Sequence, residues 1–241
     1  MKARTTPDAN IEKTEKGYLL KIPAGDSSSY RFAQIDDYFG LPRRKFPHHS
    51  LTLSLRAKTS SLNLPGTWGF GLWNDPFGMS LGFGANRFRL PTLPNAAWFF
   101  GASKENYLSF GDKPAQGFLA QTFRSPAFHP LLIPAGLVFP ISRKTTRKLL
   151  GKVIAEDATT LSMDVTQWHS YKLEWDENRI IWYVDEVQVF ESPISPKPPL
   201  GLVIWIDNQY AAFTPQGKMS YGVLEGKEEW LEIEDLIMTQ N

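Results

Sequence analysis

The sequence predicts an all-β protein built from two packed antiparallel sheets. Glycine and proline, at 18 residues each, are spread along the 241-residue chain and divide it into short segments rich in β-branched and aromatic residues, the pattern of many short strands. Leu51, Leu53 and Leu55 alternate with Thr52, Ser54 and Arg56, the period of a strand with one buried face. In the C-terminal half Tyr171, Leu173 and Trp175 alternate with Lys172 and Glu174, and two tight turns then join successive apolar runs. Such spacing belongs to two sheets packed face to face.

From the N-terminus, strands are expected at Tyr18 to Ile22, from Leu51, and at Thr67 to Trp73, Ala97 to Phe100, Asn106 to Phe110 and Gly117 to Phe123. Asp176-Glu177-Asn178 reads as a turn from the Tyr171 strand into Arg179 to Val184, and Asp185-Glu186 as a turn into Val187 to Phe190, giving an antiparallel meander. After the proline-rich corner Ser192 to Pro199, the apolar Leu200 to Ile206 suits a strand buried on both faces; Met219 to Val223 and Trp230 to Met238 follow. No linker, internal repeat or low-complexity tract divides the chain, so residues 1–241 are expected to form one domain.

One stretch departs from this pattern. Between Ser142 and Ile154, Leu149, Leu150, Val153 and Ile154 share a side at helical spacing, while Lys144, Lys148 and Lys152 recur every fourth residue on the other. The stretch also carries Arg143 and Arg147 and no acid, and it follows the apolar run Leu131 to Pro140 (LLIPAGLVFP). A surface insertion that packs its apolar side on a sheet accounts for it. A basic amphipathic helix also suits an anionic membrane or an acidic partner, with Lys144, Lys148 and Lys152 making the contact.

Composition removes several classes of function. A net charge of +1 gives no basic excess for a nucleic-acid binder. Zero cysteine excludes disulfides, a thiol nucleophile and zinc-thiolate sites. No apolar stretch approaches the ~20 residues of a membrane-spanning helix, and the first twenty residues lack the apolar core of a signal peptide, so a cytoplasmic location is expected. The four histidines are too scattered for a metal cluster, and no Gly-rich phosphate loop or G-x-S-x-G elbow is present. No cofactor is expected.

The segment Trp168-His169-Ser170-Tyr171-Lys172-Leu173-Glu174-Trp175, with Arg179-Ile180-Ile181-Trp182-Tyr183-Val184-Asp185, resembles the W-H-x-Y-x-x-E-W … I-x-W-Y-V-D-G pattern of the concanavalin A-like jelly rolls. It is most similar to the laminarinase, lichenase and agarase type of retaining glycoside hydrolase. Gly69 to Asp75 (GFGLWND) resembles that family's Gly/Trp-rich strand, and Trp230 to Met238 its closing strand. The resemblance implies a concanavalin A-like jelly-roll sandwich of two antiparallel sheets, with a short amphipathic helical insertion at about 142–154. It also implies a scaffold role for His169.

Two features depart from the family. Its nucleophile and acid/base stand on one strand as E-x-D-x-x-E or E-x-D-x-E, because retaining hydrolysis needs two carboxylates ~5 Å apart. Here the strand after the Gly/Trp-rich segment reads Asn95-Ala96-Ala97-Trp98-Phe99-Phe100-Gly101-Ala102, without a carboxylate. Glu174-Trp175-Asp176-Glu177-Asn178-Arg179 begins like the motif but carries Asn178 and Arg179 where the second glutamate belongs, and Glu232-Ile233-Glu234-Asp235 lies on the closing strand; both read as solvated strand faces. Glu186 replaces the family's turn glycine, and Glu234 stands where members that hold a structural calcium usually have aspartate.

Aromatic rings flanked by acids and amides suit the apolar faces and hydroxyl edges of sugars. Such groups concentrate in Trp68 to Phe77, Asn95 to Phe100 and Trp205 to Tyr210. The expected ligand-binding set is Trp73, Asp75, Trp98, Asp207, Asn208 and Tyr210, with a glycan as the partner. The sequence leaves three functions open: a glycan-binding protein on a glucanase-like fold, a divergent hydrolase or lyase using carboxylates such as Asp75, Glu105 and Asp207, and an interaction module acting through the basic helix. Trp168, Trp175, Trp182 and Trp230 are assigned to the scaffold.

Overall fold

The computed structural model describes residues 1–76, 92–127 and 129–240. Its strands are β1 (Lys2–Thr5), β2 (Asn10–Lys13), β3 (Gly17–Ile22), β4 (Phe32–Asp36), β5 (Leu51–Thr59), β6 (Thr67–Trp73), β7 (Ala96–Ala102), β8 (Gly117–Arg124), β9 (Ala155–Thr160), β10 (His169–Trp175), β11 (Ile180–Val184), β12 (Val187–Ser192), β13 (Gly201–Asp207), β14 (Gln209–Phe213), β15 (Met219–Val223) and β16 (Glu229–Thr239). Two helices, α1 (Leu132–Val138) and α2 (Arg143–Val153), lie between β8 and β9.

The strands form two seven-stranded sheets and one two-stranded ribbon. Sheet I runs β1-β4-β13-β6-β7-β8-β9, sheet II runs β12-β11-β10-β5-β16-β3-β2, and β14 pairs with β15. All the paired strands are antiparallel. Between the sheets lies a core to which alternate residues contribute: Leu51, Leu53 and Leu55 of β5, Leu173 and Trp175 of β10, Phe70 and Leu72 of β6, and Leu202, Ile204 and Ile206 of β13.

Sheet I is apolar on its outer face as well. Every residue of β7 and of β13 is buried, and the outward residues Trp98, Phe100, Val203 and Trp205 form a second cluster with Tyr38, Phe46, Phe123 and Ile154. Leu108 and Phe110 of the 103–116 loop and Leu150 of α2 pack onto it. This cover explains why Asn106 to Phe110 is not the strand its sequence suggests. Glu156 of β9 instead accepts hydrogen bonds from Ser109 Oγ (2.7 Å), Phe110 N (2.9 Å) and Gly111 N, drawing the segment across the sheet.

The helical insertion is larger than the sequence suggested. The apolar run Leu131 to Pro140, outside the expected helix, contains α1; Pro134 falls in its first turn, where no intrahelical N–H partner is lost. In α2 the lysines 144, 148 and 152 are exposed, as its periodicity implies, but Arg147 is buried. Its guanidinium donates to Ser109 O (2.9 Å), Asp112 Oδ1 (2.7 Å) and Phe213 O (3.0 Å), tying helix, loop and ribbon together.

Strands β1, β2, β4, β9 and β14 carried no sequence expectation. Three of them are polar: KART, NIEK and AEDATT. In sheet II the scaffold tryptophans divide. Trp175 and Trp182 are in the core, whereas Trp168 and Trp230 are only partly buried and take Lys58 over their rings at 4.7 and 5.4 Å.

The β11–β12 turn is a two-residue hairpin with Asp185 (φ 48°) and Glu186 (φ 67°) both left-handed, the mirror-type turn that matches strand twist. Asp185 stabilises it by accepting from Ser170 N (2.9 Å) and pairing with His169 Nδ1 (2.6 Å). Glu186 contributes no such bond, so Glu186→Gly is expected to stabilise the protein by about 1 kcal/mol through relief of left-handed strain, measured as a raised urea midpoint with unchanged slope.

Candidate functional site

The outer face of sheet I gathers Trp73, Trp98, Phe100 and Trp205 into one cluster, while Trp68, Phe70 and Phe99 of the same segments point into the core between the sheets. Cross-strand register places Trp205 and Phe100 opposite Gly69, and Val203 and Trp98 opposite Gly71. A Cβ at Gly69 would lie 2.2 Å from Phe99 O, and one at Gly71 2.4 Å from Ala97 O. The glycines of GFGLW therefore form a floor between rows of large rings. Trp73 lies parallel to Trp205, with centroids 6.3 Å apart and planes 3° apart. Trp98 lies 6.1 Å from Trp73 and 5.7 Å from Trp205.

Trp98 and Trp205 are held from below. Trp98 (3% exposed) donates its indole N–H to Gln121 Oε1 at 3.0 Å, and Gln121 in turn donates to Leu108 O. Trp205 (8% exposed) donates to Thr67 Oγ1 at 2.9 Å, and Thr67 donates to Asp207 Oδ1 at 2.9 Å. Trp73 remains half-buried at the edge of the cluster. Beside it, Asn74 bonds Leu93 O and Asn95 N, and the Arg43 guanidinium holds the Asn74 and Asp75 carbonyls. Asp75 has φ 49° and is itself half-buried.

The remaining expected residues lie at the other end of the same face. Trp73 pairs with Gly201 and Thr67 with Asp207, so the two groups are separated by roughly 20 Å of strand at ~3.3 Å per residue. Asn208 is fully buried; its amide donates to Ser29 O and Leu224 O and its carbonyl accepts from Arg31 N. These bonds occupy it within the fold. Tyr210 is half-buried on the β14–β15 ribbon against Gly222. Thus the structure joins Trp73, Asp75 and Trp98, adds Trp205, and sets Asp207, Asn208 and Tyr210 apart. Phe77, part of the same aromatic concentration, lies outside the described residues, as do Phe128 and the Gly82-x-Gly84 pair.

Sequence reasoning passed over Thr67, Gln121 and Tyr30. Period-two alternation puts Gln121 on the face of Trp98, so its signal was present; that of Tyr30, 177 residues from its Asp207 partner, was not.

Asp207 is buried and accepts from Thr67 Oγ1 and N, Gln209 N and Tyr30 OH. Loss of hydration outweighs these bonds and pushes its carboxyl up to about 7. Other acids on this face are committed. Asp36 is bound by Arg4 through two nitrogens at 2.8 Å, and Glu156 holds the 103–116 loop. Asp36 faces Val203, four residues from Asp207 along β13, or roughly 13 Å. No two acids occupy facing positions on neighbouring strands of this face, and residues 77–91 contain none. Asp75 and Glu105 lie beyond opposite ends of the β6–β7 pair.

The motif-like Glu174-Trp175-Asp176 stretch belongs to sheet II. Glu174 pairs with Lys172 at 2.8 Å, and Asp176 accepts from Asn178 N and Arg179 N to close the turn. Glu232 and Glu234 of β16 pair with Lys58 (3.0 Å) and Arg56 (3.2 Å). His169 pairs with Asp185 through Nδ1 and donates from Nε2 to Asp164 O, within the scaffold. Among the described residues no group of three metal-ligating side chains converges.

Two antiparallel sheets with these features define a concanavalin A-like jelly-roll sandwich. The sequence pattern of the Glycosyl hydrolases family 16 matches residues 147–201, the span that contains β10 and β11. Among solved structures, the chain is similar to a LamA variant from Zobellia galactanivorans in complex with laminaritriose and laminaritetraose, with 14% identity and a TM-score of 0.50 over 92% of this chain and 78% of that one. A β-glucanase from Bacillus licheniformis gives 12% identity and a TM-score of 0.47 over 96% and 82% of the two chains. A family 16 endo-glucanase from Bacteroides ovatus gives 10% and 0.48 over 95% and 85%. No curated protein matches the chain in sequence. The LamA likeness extends to fold alone.

Because the Asp207 carboxyl is raised by folding, the native state binds the extra proton between about pH 4 and pH 7. Its contribution to stability is full below pH 4 and lost as pH rises through 7. Asp207→Asn is therefore expected to flatten the fall in thermal midpoint between pH 5 and pH 8, measured by calorimetry on both proteins.

Proposed function

We propose that the protein binds a glycan at the Trp73 edge of the tryptophan cluster, without cleaving it. The observation that carries this reading is the half-buried Trp73, stacked parallel to Trp205 and flanked by Asp75. An indole fixed in orientation offers a flat apolar surface to a sugar ring, and neighbouring acid and amide groups meet its hydroxyls. Trp98 and Trp205 act from below as positioning residues, and Asp207 acts on Trp205 through the Thr67 hydroxyl. The family 16 match over 147–201 and the laminari-oligosaccharides held by the LamA variant support a glucan among the candidate ligands. The dispersed and occupied acids of sheet I favour binding over hydrolysis, since retaining and inverting hydrolysis both need paired carboxylates within roughly 10 Å.

Calorimetric titration with soluble β-glucan, galactan and mannan oligosaccharides is expected to find a ligand in this panel. Trp73→Ala should weaken that binding by about tenfold or more, the loss of one stacking surface. Asp207→Asn, remote from the sugar, should alter it far less. Absence of binding across the panel, or a Trp73→Ala protein that binds unchanged, would overturn the proposal. Release of reducing sugar that is abolished by Asp75→Asn would replace it with a hydrolase.

A further inference from the structure

The α1–α2 hairpin leaves its apolar residues in water. Ile133 is 60% exposed, Leu137 71% and Ile141 84%, with Phe139 at 37%. Ile133 and Leu137 stand four residues apart on one side of α1, while the opposite side packs inward through Ala135, whose carbonyl accepts from Thr146 Oγ1 of α2 at 3.2 Å. The outward side chains are thus fixed on a rigid support: α2 is pinned by buried Arg147, and Ser142 caps its first turn by accepting from Thr145 N.

Positive charge borders this apolar tip. The Arg143 guanidinium lies 5.7 Å from the Phe139 ring centroid. Lys144 and Lys148 follow on the exposed side of α2. The β14–β15 turn packs on the same end of the helix: a Cβ on Gly217 would fall 2.6 Å from the Lys144 backbone nitrogen, which brings exposed Lys218 alongside. No acidic residue occurs between Asp112 and Glu156, and Asp112 is engaged by Arg147.

From this juxtaposition we infer that the hairpin is a docking surface for an anionic lipid bilayer. Ile133, Leu137, Phe139 and Ile141 enter the interface between headgroups and acyl chains, and Arg143, Lys144, Lys148 and Lys218 meet the lipid phosphates and carboxylates. An apolar tip ringed by cations complements such a surface in both respects. A protein groove would complement the apolar residues but would need its own acidic rim. The surface is independent of the tryptophan cluster, so its failure or success leaves the glycan reading untouched.

Co-sedimentation of the full chain with phosphatidylcholine vesicles containing 30% phosphatidylserine tests this directly. Binding is expected to the anionic vesicles, not to pure phosphatidylcholine, and to fall as salt rises from 0.1 to 0.5 M. Neutralising Arg143, Lys144 and Lys148 together as glutamines should cost roughly a hundredfold in partition, about fivefold per cation. Leu137→Ser with Ile141→Ser should weaken binding about tenfold or more at unchanged charge. Circular dichroism and thermal melts confirm that each variant is folded, which is expected since every altered side chain is exposed. No sedimentation of the folded wild-type chain overturns the proposal, and so does equal binding to neutral vesicles. A dimer in analytical ultracentrifugation that dissociates on Leu137→Ser with Ile141→Ser, without vesicle binding, would instead assign the surface to a second copy.

Discussion

Strand β7 is apolar on both faces, and sheet I depends on shielding both from water. Ala97 and Phe99 point into the space between the sheets; Trp98 and Phe100 point outward. A single sandwich core satisfies only the first pair. The outward pair requires a cover, and the chain supplies it from distant segments: Tyr38 and Phe46 before β5, Leu108 and Phe110 between β7 and β8, Leu150 and Ile154 at the end of the insertion. The insertion is therefore part of how the sheet is kept dry, and its polar anchors follow from that duty. Glu156 gathers the 108–111 backbone, and Arg147 bonds the same loop from above. Removing either residue would leave polar groups of the loop that it holds without a partner, at a cost of about 1–3 kcal/mol for each that stays buried.

The same burial decides what the outward polar groups can do. Asp36, Gln121, Asn208 and Glu156 all point into dry surroundings and are all consumed by hydrogen bonds within the fold. Asp207 differs in that loss of hydration outweighs the bonds it accepts. At the edge of the cluster, where the proposed glycan contact lies, Trp73 and Asp75 retain some exposure. A binding surface of this kind inherits its rigidity from the buried rings behind it, and rigid aromatic surfaces lose little side-chain entropy on binding.

Much of the fold was legible because period-two alternation and turn chemistry are local signals. Thr67–Trp73 coincides with its expected strand, and the 171–190 meander follows from residues adjacent in sequence. Strands such as KART and NIEK, at or next to sheet edges, were illegible, because a strand with little buried surface needs little apolar patterning. Asn106 to Phe110 misled for a related reason: its alternating residues fit a strand, yet a carboxylate 46 residues away claims its backbone. For the candidate site, residue type picked out groups along one sheet face and missed the division along it. Trp73 and Asp207 look equivalent as strand-end polar or aromatic positions, and only the pairing register shows them at opposite ends. Arg147 shows the limit of helical periodicity. Its position beside Lys148 reads as solvated, and three acceptors from the 103–116 loop and β14 bring it inside.

The charge distribution completes this picture. A net charge of +1 is the sum of unlike regions. On β16 the acids are spent on sheet II, Glu232 on Lys58 and Glu234 on Arg56, and the cations so engaged also sit over Trp168. The basic residues of the hairpin have no comparable group of acids within their own stretch of chain. Such separation keeps attraction between the regions weak, since exposed charges interact little beyond about 10 Å at 0.1 M salt. The hairpin therefore acts as a local positive surface despite the near-neutral whole. Its apolar residues give that surface a short-range component that salt does not screen. On the proposed readings, charge would draw an anionic surface toward the hairpin and apolar burial would hold it there, whereas the tryptophan edge, with its rings and hydrogen-bonding groups, would select by shape.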